Sequence, residues 1–119
     1  MAERNHDPAA EQAAMDWLAL ADAGDASATW VAAASLFREA VSEGDWARAL
    51  TAARGPLGPV RTRMLHAAHP ATELPGAPDG QYVVFEFHTQ FERKRAAVET
   101  VSPMRDADGQ WRVSGYYVR

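Results

Sequence analysis

The C-terminal third of the chain constrains the fold most strongly, because it has the pattern of strands joined by tight turns. Apolar residues recur at every second position, at Val83, Phe85 and Phe87, which is the period of a strand with one buried face. The dipeptide Asp108-Gly109 is typical of a tight hairpin turn. This pattern predicts an antiparallel meander. Its three strands are expected at about 81–91, 96–105 and 110–119.

The first half of the chain has the spacing of helices instead. Asp7 suits the cap of a helix whose first position is Pro8, and Gly24 suits its end. Segment 54–59 holds two glycines and two prolines, so it cannot continue a helix and marks the change to sheet. Helices are predicted at about 8–23, 26–41 and 43–53, and an additional strand at about 60–69.

A block of helices followed by a block of antiparallel strands is typical of an α+β domain with its helices on one sheet face. The length of 119 residues suits one domain with a sizeable core. The sequence therefore predicts a single domain over residues 1–119, with three N-terminal helices packed on a curved four-stranded antiparallel sheet.

Composition excludes several classes of function. The chain has no cysteine, which rules out disulfides, thiol catalysis and cysteine-ligated metals. No apolar run is long enough for membrane insertion, and a net charge of -4 without a basic patch argues against nucleic-acid binding. Residues 1–7 are polar and lack a signal peptide. We expect a soluble protein, either cytoplasmic as written or the mature form of an exported, periplasmic one.

The meander turns predict which residues share a sheet face. If Phe91 pairs with Ala96, and Ala107 with Gln110, one face carries aromatic residues interleaved with small hydroxyl side chains. This face is predicted to lie under the helices and to line a small cavity. Its ligand-binding residues are predicted to be Thr89, Thr100, Ser102, Trp111 and Tyr117.

The opposite sheet face is half apolar in the same register, which is more than a face meant only for water requires. A second copy of the chain is expected to cover it, so we predict a homodimer. The predicted interface residues are Tyr82, Val84, His88, Glu99, Val101, Tyr116 and Val118.

Several motifs together resemble one bacterial family. They are WLALADAGD at 17–25 with Trp30 and Trp46, RGPLG at 54–58, LPGAPDG at 74–80, ETV at 99–101 and DGQWRVSGY at 108–116. From about residue 13 onward the chain resembles the domain of unknown function 4019. The resemblance implies a nuclear-transport-factor-2-like (cystatin-like) cone, with helices in the concavity of a curved sheet. It implies no activity. Members often follow a secretion signal, and residues 1–7 do not have the pattern of one.

The sequence gives little support for a catalytic site or a metal site. His66, His69 and His88 with Glu86 lack the spacing of a known zinc motif, so we predict no metal and no cofactor. His88 opposite Glu99 suits an acid/base pair, but a cross-strand polar pair explains it better. Enzymes of the cone superfamily commonly hold an Asp or an Asp-His pair in the cavity. The predicted inner face has no ionisable acid or histidine, so no catalytic residue is assigned.

Arg93, Lys94 and Arg95 form a basic hairpin tip. Such a tip suits either an anion site or, more commonly, solvated charges that prevent edge pairing.

Three functions remain open at this point. We expect a non-catalytic binding module for a small apolar ligand or a peptide, because hydroxyls are interleaved with aromatics on the buried face. The second possibility is a small lyase, isomerase or hydrolase of the cone fold that uses His88 or a helix carboxylate, for which Asp16 and Asp22 are the candidates. The third is a purely structural, dimeric interaction domain that works through the opposite sheet face.

Overall fold

The computed structural model describes residues 6–119, and residues 1–5, most of the polar N-terminal segment discussed above, lie outside the described residues. The helices are α1 (Pro8–Asp22), α2 (Ala26–Val31), α3 (Ser35–Ala40) and α4 (Glu43–Arg54), followed by a 3₁₀ turn (Gly55–Leu57). The strands are β1 (Val60–Ala71), β2 (Tyr82–Phe91), β3 (Lys94–Arg105) and β4 (Trp111–Val118). They form one antiparallel sheet in the order β1-β2-β3-β4. The α+β class and the four-stranded antiparallel sheet are confirmed.

Helix α1 begins where its capping residues predict. The Asp7 Oδ1 atom accepts a hydrogen bond from the Ala9 N–H at 2.9 Å, and Pro8 occupies the first helical position. After the helix, Gly24 adopts φ +75°, a conformation that side chains with a Cβ rarely take. None of the helices formed by the described residues is long and apolar enough to span a membrane.

The predicted helix over 26–41 is wrong, because two short helices, α2 and α3, occupy that segment. Ala34 is extended (φ -61°, ψ 150°), and its N–H donates to the Val113 carbonyl of β4 at 2.8 Å. The Ser35 N–H and hydroxyl both donate to the Asp106 carboxylate, at 3.1 and 2.7 Å. Asp106 thus caps α3 from the β3–β4 turn. These tertiary bonds compensate for the helical bonds lost at the break.

The core lies between the helices and one face of the sheet, which we call the inner face. Phe85, Phe87, Val101 and Val113 project from this face and are buried. Trp17 and Trp46 anchor α1 and α4 in the core, and both indole N–H groups donate to Thr29, to its carbonyl and its hydroxyl oxygen respectively. Burial of the rings with satisfied N–H groups makes these tryptophans packing residues.

The register between β2 and β3 differs from the prediction by one residue over 82–89, and by two residues at Phe91, beyond an irregularity in the pairing. Phe91 pairs with Lys94 rather than Ala96, while Phe87 pairs with Glu99 and Phe85 with Val101. A shift of one residue moves every side chain of a strand to the other face. The turn is held by the N–H groups of Glu92 and Arg93, which donate to the backbone carbonyls of Pro59 and Leu57. These two hydrogen bonds join residues far apart in sequence, so local sequence patterns do not predict them.

The corrected register changes which residues of β3 face the helices. Glu99 and Val101 lie on the inner face, whereas Thr100 and Ser102 lie on the opposite, outer face. The prediction had these two pairs the other way round.

Strand β4 is irregular opposite Val101 and Pro103. Val113 pairs with Pro103 and keeps the inward position that the sequence predicts, whereas Tyr116 pairs with Val101 and also faces inward. The ring centroid of Tyr116 lies 5.1 Å from that of Trp17. Because Val113 and Tyr116 are an odd number of positions apart, the irregularity reverses the predicted orientation of the residues that follow. Tyr117 accordingly lies on the outer face and is 58% exposed.

Candidate functional site

A cluster of ionised side chains lies on the inner face, under the ends of α1 and α4. We call it the buried ion network, and it consists of Asp22, Arg54, Arg63 and Glu99 with the hydroxyl groups of Thr89 and Tyr116. Helix α1 supplies Asp22, α4 supplies Arg54, and β1 supplies Arg63. The network therefore ties both long helices to the sheet.

Glu99 is the centre of the network and is 0% exposed. Its Oε1 atom accepts hydrogen bonds from Arg63 Nε at 2.7 Å and from the Thr89 hydroxyl at 2.6 Å. Its Oε2 atom accepts from the Tyr116 hydroxyl at 2.5 Å. A buried carboxylate is tolerated only when it is paired and hydrogen-bonded in this way. The prediction that the inner face holds no ionisable acid is therefore wrong.

Asp22 closes the network on the solvent side. Both Arg63 terminal nitrogens donate to it, at 2.8 and 3.0 Å, and Arg54 Nη2 donates at 2.9 Å. Burial alone raises the pKa of Asp22, but the hydrogen bonds and charges of Arg63 and Arg54 outweigh burial and leave that pKa below its usual value. Burial alone lowers the pKa of Arg63, but its hydrogen bonds to Asp22 and Glu99 outweigh burial and leave that pKa above its usual value.

A surface groove of about 410 Å³ opens beside the network. We call it the α1/α4 groove, and its lining is mostly small and apolar: Ala21, Asp22, Gly24, Ala26, Leu50, Thr51, Arg54, Gly55, Gly58 and Pro59. Gly58 has φ +76°, and a Cβ there would lie 3.2 Å from the Glu92 Cβ, so this wall requires glycine. Two of the sequence motifs, 17–25 and 54–58, thus contribute walls to one groove.

Arg54 is the cation that lines the α1/α4 groove. Its side chain is 11% exposed, and its guanidinium carbon lies 4.9 Å from the centre of the Phe91 ring. Nη1 is 3.8 Å from Glu99 Oε2, and neither Nε nor Nη1 has a hydrogen-bond acceptor within residues 6–119. Both nitrogens are closed to solvent, so a molecule in the groove would meet the positive charge of Arg54 rather than these two donors.

The network is poorly suited to proton transfer. Both Glu99 oxygens already accept hydrogen bonds, and the carboxylate does not reach solvent. Burial, followed by the charge of Glu99 and the hydrogen bond to it, raises the pKa of Tyr116 far above its usual value. Its phenol therefore stays protonated at neutral pH. In the part of the chain that the structure describes, no group of three or more His, Cys, Asp or Glu residues could hold a metal ion.

The five predicted ligand-binding residues do not line one cavity. Thr89 faces inward and belongs to the network, and Trp111 is half-buried with its indole N–H donating to Asp7 at 3.2 Å. Thr100, Ser102 and Tyr117 lie on the outer face, so their predicted inward position is wrong. The cause is the one-residue shift of β3 and the irregularity of β4.

The predicted interface residues are likewise divided between the faces. Glu99, Val101 and Tyr116 face inward, and Val118 pairs directly with Glu99, so their predicted outward position is wrong. Three others lie on the outer face: Tyr82, Val84 and His88.

Two outer-face residues have partners within the chain. Tyr82 is buried, and its hydroxyl donates to the Pro78 carbonyl at 2.6 Å. His88 stacks on His66 with 3.9 Å between ring centroids. Because His88 and Glu99 lie on opposite faces, the acid/base pair considered from the sequence does not form.

Sequence reasoning missed the arginines of the network. Arg63 lies in a strand with several polar residues, and Arg54 lies at a helix end, where a cation is ordinary. Neither position has a local signal of burial. At the basic hairpin tip, Arg93 donates to the Pro56 and Gly55 carbonyls at 3.0 and 3.2 Å, so it holds the turn against the 3₁₀ segment.

Comparison with known families gives one match. A family model described as a protein of unknown function (DUF4019) matches residues 13–116. No curated protein and no solved structure gives a significant match.

Proposed function

The chain belongs to the DUF4019 family, and from that premise we propose that it is a non-catalytic binding module for a small apolar ligand or a peptide segment. The α1/α4 groove is the proposed site. The observation that carries the proposal is a groove of small-molecule size whose mostly apolar walls include one arginine. The walls would hold an apolar body, and the positive charge of Arg54 would favour an acceptor oxygen beside it.

We also propose the nuclear-transport-factor-2-like cone as the fold. Helices α1 and α4 pack on the same inner face, and β1 has register shifts next to Thr62 and Ala67. Irregularities of this kind bend a strand and help a sheet to curve around helices.

The binding module is favoured over a small lyase, isomerase or hydrolase. The inner face does contain an acid, Glu99, as such an enzyme would require. Its oxygens are occupied by Arg63, Thr89 and Tyr116, however, and it is closed to solvent. A base must reach the proton that it removes, so this carboxylate is better explained as a structural anion.

The binding proposal is tested by filling the groove. Gly55 lines it with a φ of -53°, and an added Cβ meets no atom within 4 Å, so Gly55→Leu should fold and occupy the groove. Gly44→Leu in the exposed first turn of α4 is the matched control. A library of small apolar carboxylates, amides and alcohols is screened by ligand-observed NMR. Binders should be lost with Gly55→Leu and kept with Gly44→Leu. If no compound distinguishes the two variants, the groove is not the site.

A homodimer through the outer face is a second proposal. Met64 and Tyr117 are 73% and 58% exposed on this face, and a second copy of the chain would cover both side chains. Sedimentation of Met64→Lys and Tyr117→Lys should show monomers, while Met15→Lys on α1 should leave a dimer intact. A wild-type protein that sediments as a monomer at high concentration would refute the proposal, and with it the purely structural interaction domain.

A further inference from the structure

His6 precedes α1 and is almost completely buried, with a side chain only 2% exposed. Its ring meets the Phe85 ring edge to face, with 4.9 Å between centroids and an interplanar angle of 87°. Phe85 belongs to the core of the inner face. The imidazole therefore occupies a position that an aromatic ring fills well.

The two ring nitrogens of His6 suit this position less well than the shape of the ring does. Nε2 lies 2.8 Å from Glu11 Oε1, so the carboxylate accepts a hydrogen bond there. Nδ1 is buried and has no hydrogen-bond partner among residues 6 to 119. A buried polar atom without a partner is unfavourable, and a ring without that second nitrogen would avoid the cost.

Two surface grooves meet at His6. One, of about 330 Å³, lies along the first turns of α1 and reaches Met15. The other, of about 470 Å³, lies at the edge of the sheet and is lined by Tyr82, Val83 and Trp111. His6 lines both grooves, so the residue lies between them.

The backbone next to His6 is anchored independently of the imidazole. Asp7 Oδ1 accepts from the Ala9 N–H at 2.9 Å, and Asp7 Oδ2 accepts from the Trp111 indole N–H at 3.2 Å. Removal of the imidazole from its position would leave both bonds and the start of α1 in place.

We propose that His6 is a displaceable plug over a binding site for a single flat, uncharged aromatic ring. In the open form the ligand ring takes the place of the imidazole against Phe85, and the two grooves join. A ring N–H or O–H takes over the hydrogen bond to Glu11. This site is separate from the α1/α4 groove and does not depend on it.

The test uses indole as the probe and three forms of the whole protein. Wild type should bind indole weakly, with movement of the His6 ring proton signals in NMR. His6→Ala should bind at least tenfold more tightly, because no plug has to be displaced. His6→Phe should not bind, because an apolar ring fills the site permanently. His69→Ala, on an exposed part of β1, is the control and should match wild type.

Two results would overturn the proposal. Binding by His6→Ala without any binding by wild type at saturating indole would mean that the substitution had merely created a cavity. Binding by His6→Phe as tight as that of wild type would place indole elsewhere. If His6→Ala does not fold, the comparison of wild type with His6→Phe still decides. Indole binding should survive Gly55→Leu, so failure here and failure of the α1/α4 groove proposal are distinguishable.

Discussion

The buried ion network and the Asp106 junction, in which Asp106 binds Ser35 and Arg112, use similar chemistry in different surroundings. In both, a carboxylate accepts hydrogen bonds from an arginine and from hydroxyl groups, two at Glu99 and one at Asp106. Glu99 is closed to solvent and linked to α1, α4 and β1 through its partners, whereas Asp106 lies at the β3–β4 turn and holds the start of α3. We expect the difference in burial to decide what the loss of one partner costs, because water reaches the Asp106 side chain, which is 9% exposed, but not Glu99, which is 0% exposed.

The largest effect is expected from breaking the network at its centre. Glu99→Gln keeps the shape of the side chain but removes one of the two carboxylates, Glu99 and Asp22, that pair with the buried Arg63. Loss of one partner of a buried ion pair should lower the free energy of unfolding by about 3–5 kcal/mol, measured by urea denaturation. The double variant Glu99→Gln with Arg63→Met should recover part of the loss. A loss as small as that of a surface substitution would show that the network is already hydrated.

The next effect concerns the hydroxyl that binds Glu99 from β4. Tyr116→Phe removes one donor while the ring stays against Trp17. Hydrogen bonds to charged groups contribute about 1.5–3 kcal/mol, so urea denaturation should show a loss in this range. Tyr117→Phe, on the exposed neighbour, should leave stability unchanged. An equal loss of stability in Tyr116→Phe and Tyr117→Phe would contradict the argument that burial decides the cost of a lost hydrogen bond.

A smaller effect is expected at the Asp106 junction. Asp106→Ala removes the side chain that caps α3 from the β3–β4 turn and should cost about 1–2 kcal/mol, the range for loss of an N-cap side chain. Hydrogen exchange should accelerate in α3 and much less in α1, because α3 is the helix whose first residue bonds to this carboxylate. Uniform acceleration in both helices would indicate that Asp106 stabilises the whole fold instead.

The stability that the Asp106 junction contributes should depend on pH. Hydrogen bonds from the Ser35 hydroxyl and N–H, aided by Ala107 and Arg112, lower the pKa of Asp106 from 3.8 to about 2. A lowered pKa in the folded state gives stability that is complete above the unfolded value and is lost as pH falls toward the folded value. The difference in melting temperature between wild type and Asp106→Asn should therefore shrink between about pH 4 and pH 2. A difference in melting temperature that stays constant over this pH range would contradict the lowered pKa of Asp106.

The smallest effect belongs to the exposed pair of Asp45 and Arg48 on α4. Both side chains are mostly solvated, so Arg48→Ala should not change the urea midpoint measurably. This variant completes the series from buried to exposed pairs. A clear loss of stability here would show that surface pairs on α4 matter more than their exposure indicates.

Local signals predicted much of the fold. Asp7 and Pro8 begin α1, and Asp108-Gly109 forms the β3–β4 turn, because caps and turns depend on residues close in sequence. The strands also begin and end within a few residues of the predicted positions. The candidate site was less predictable. Arg54, Arg63 and Asp22 come from three separate elements, and no local pattern reports that they meet.

The sequence by itself determined the α+β class, the block of helices before the block of strands, and the buried face of β2 with Phe85 and Phe87. Only the tertiary structure decided the break at Ala34, the register of β3 and the burial of Glu99. The physical reason is common to all three. Each exchanges a favourable local state for bonds to distant groups: Ala34 to Val113, the Arg93 turn to Leu57, and Glu99 to Arg63. The sequence is the same whether water or an arginine surrounds a charged side chain, because the arginine comes close only in the folded protein.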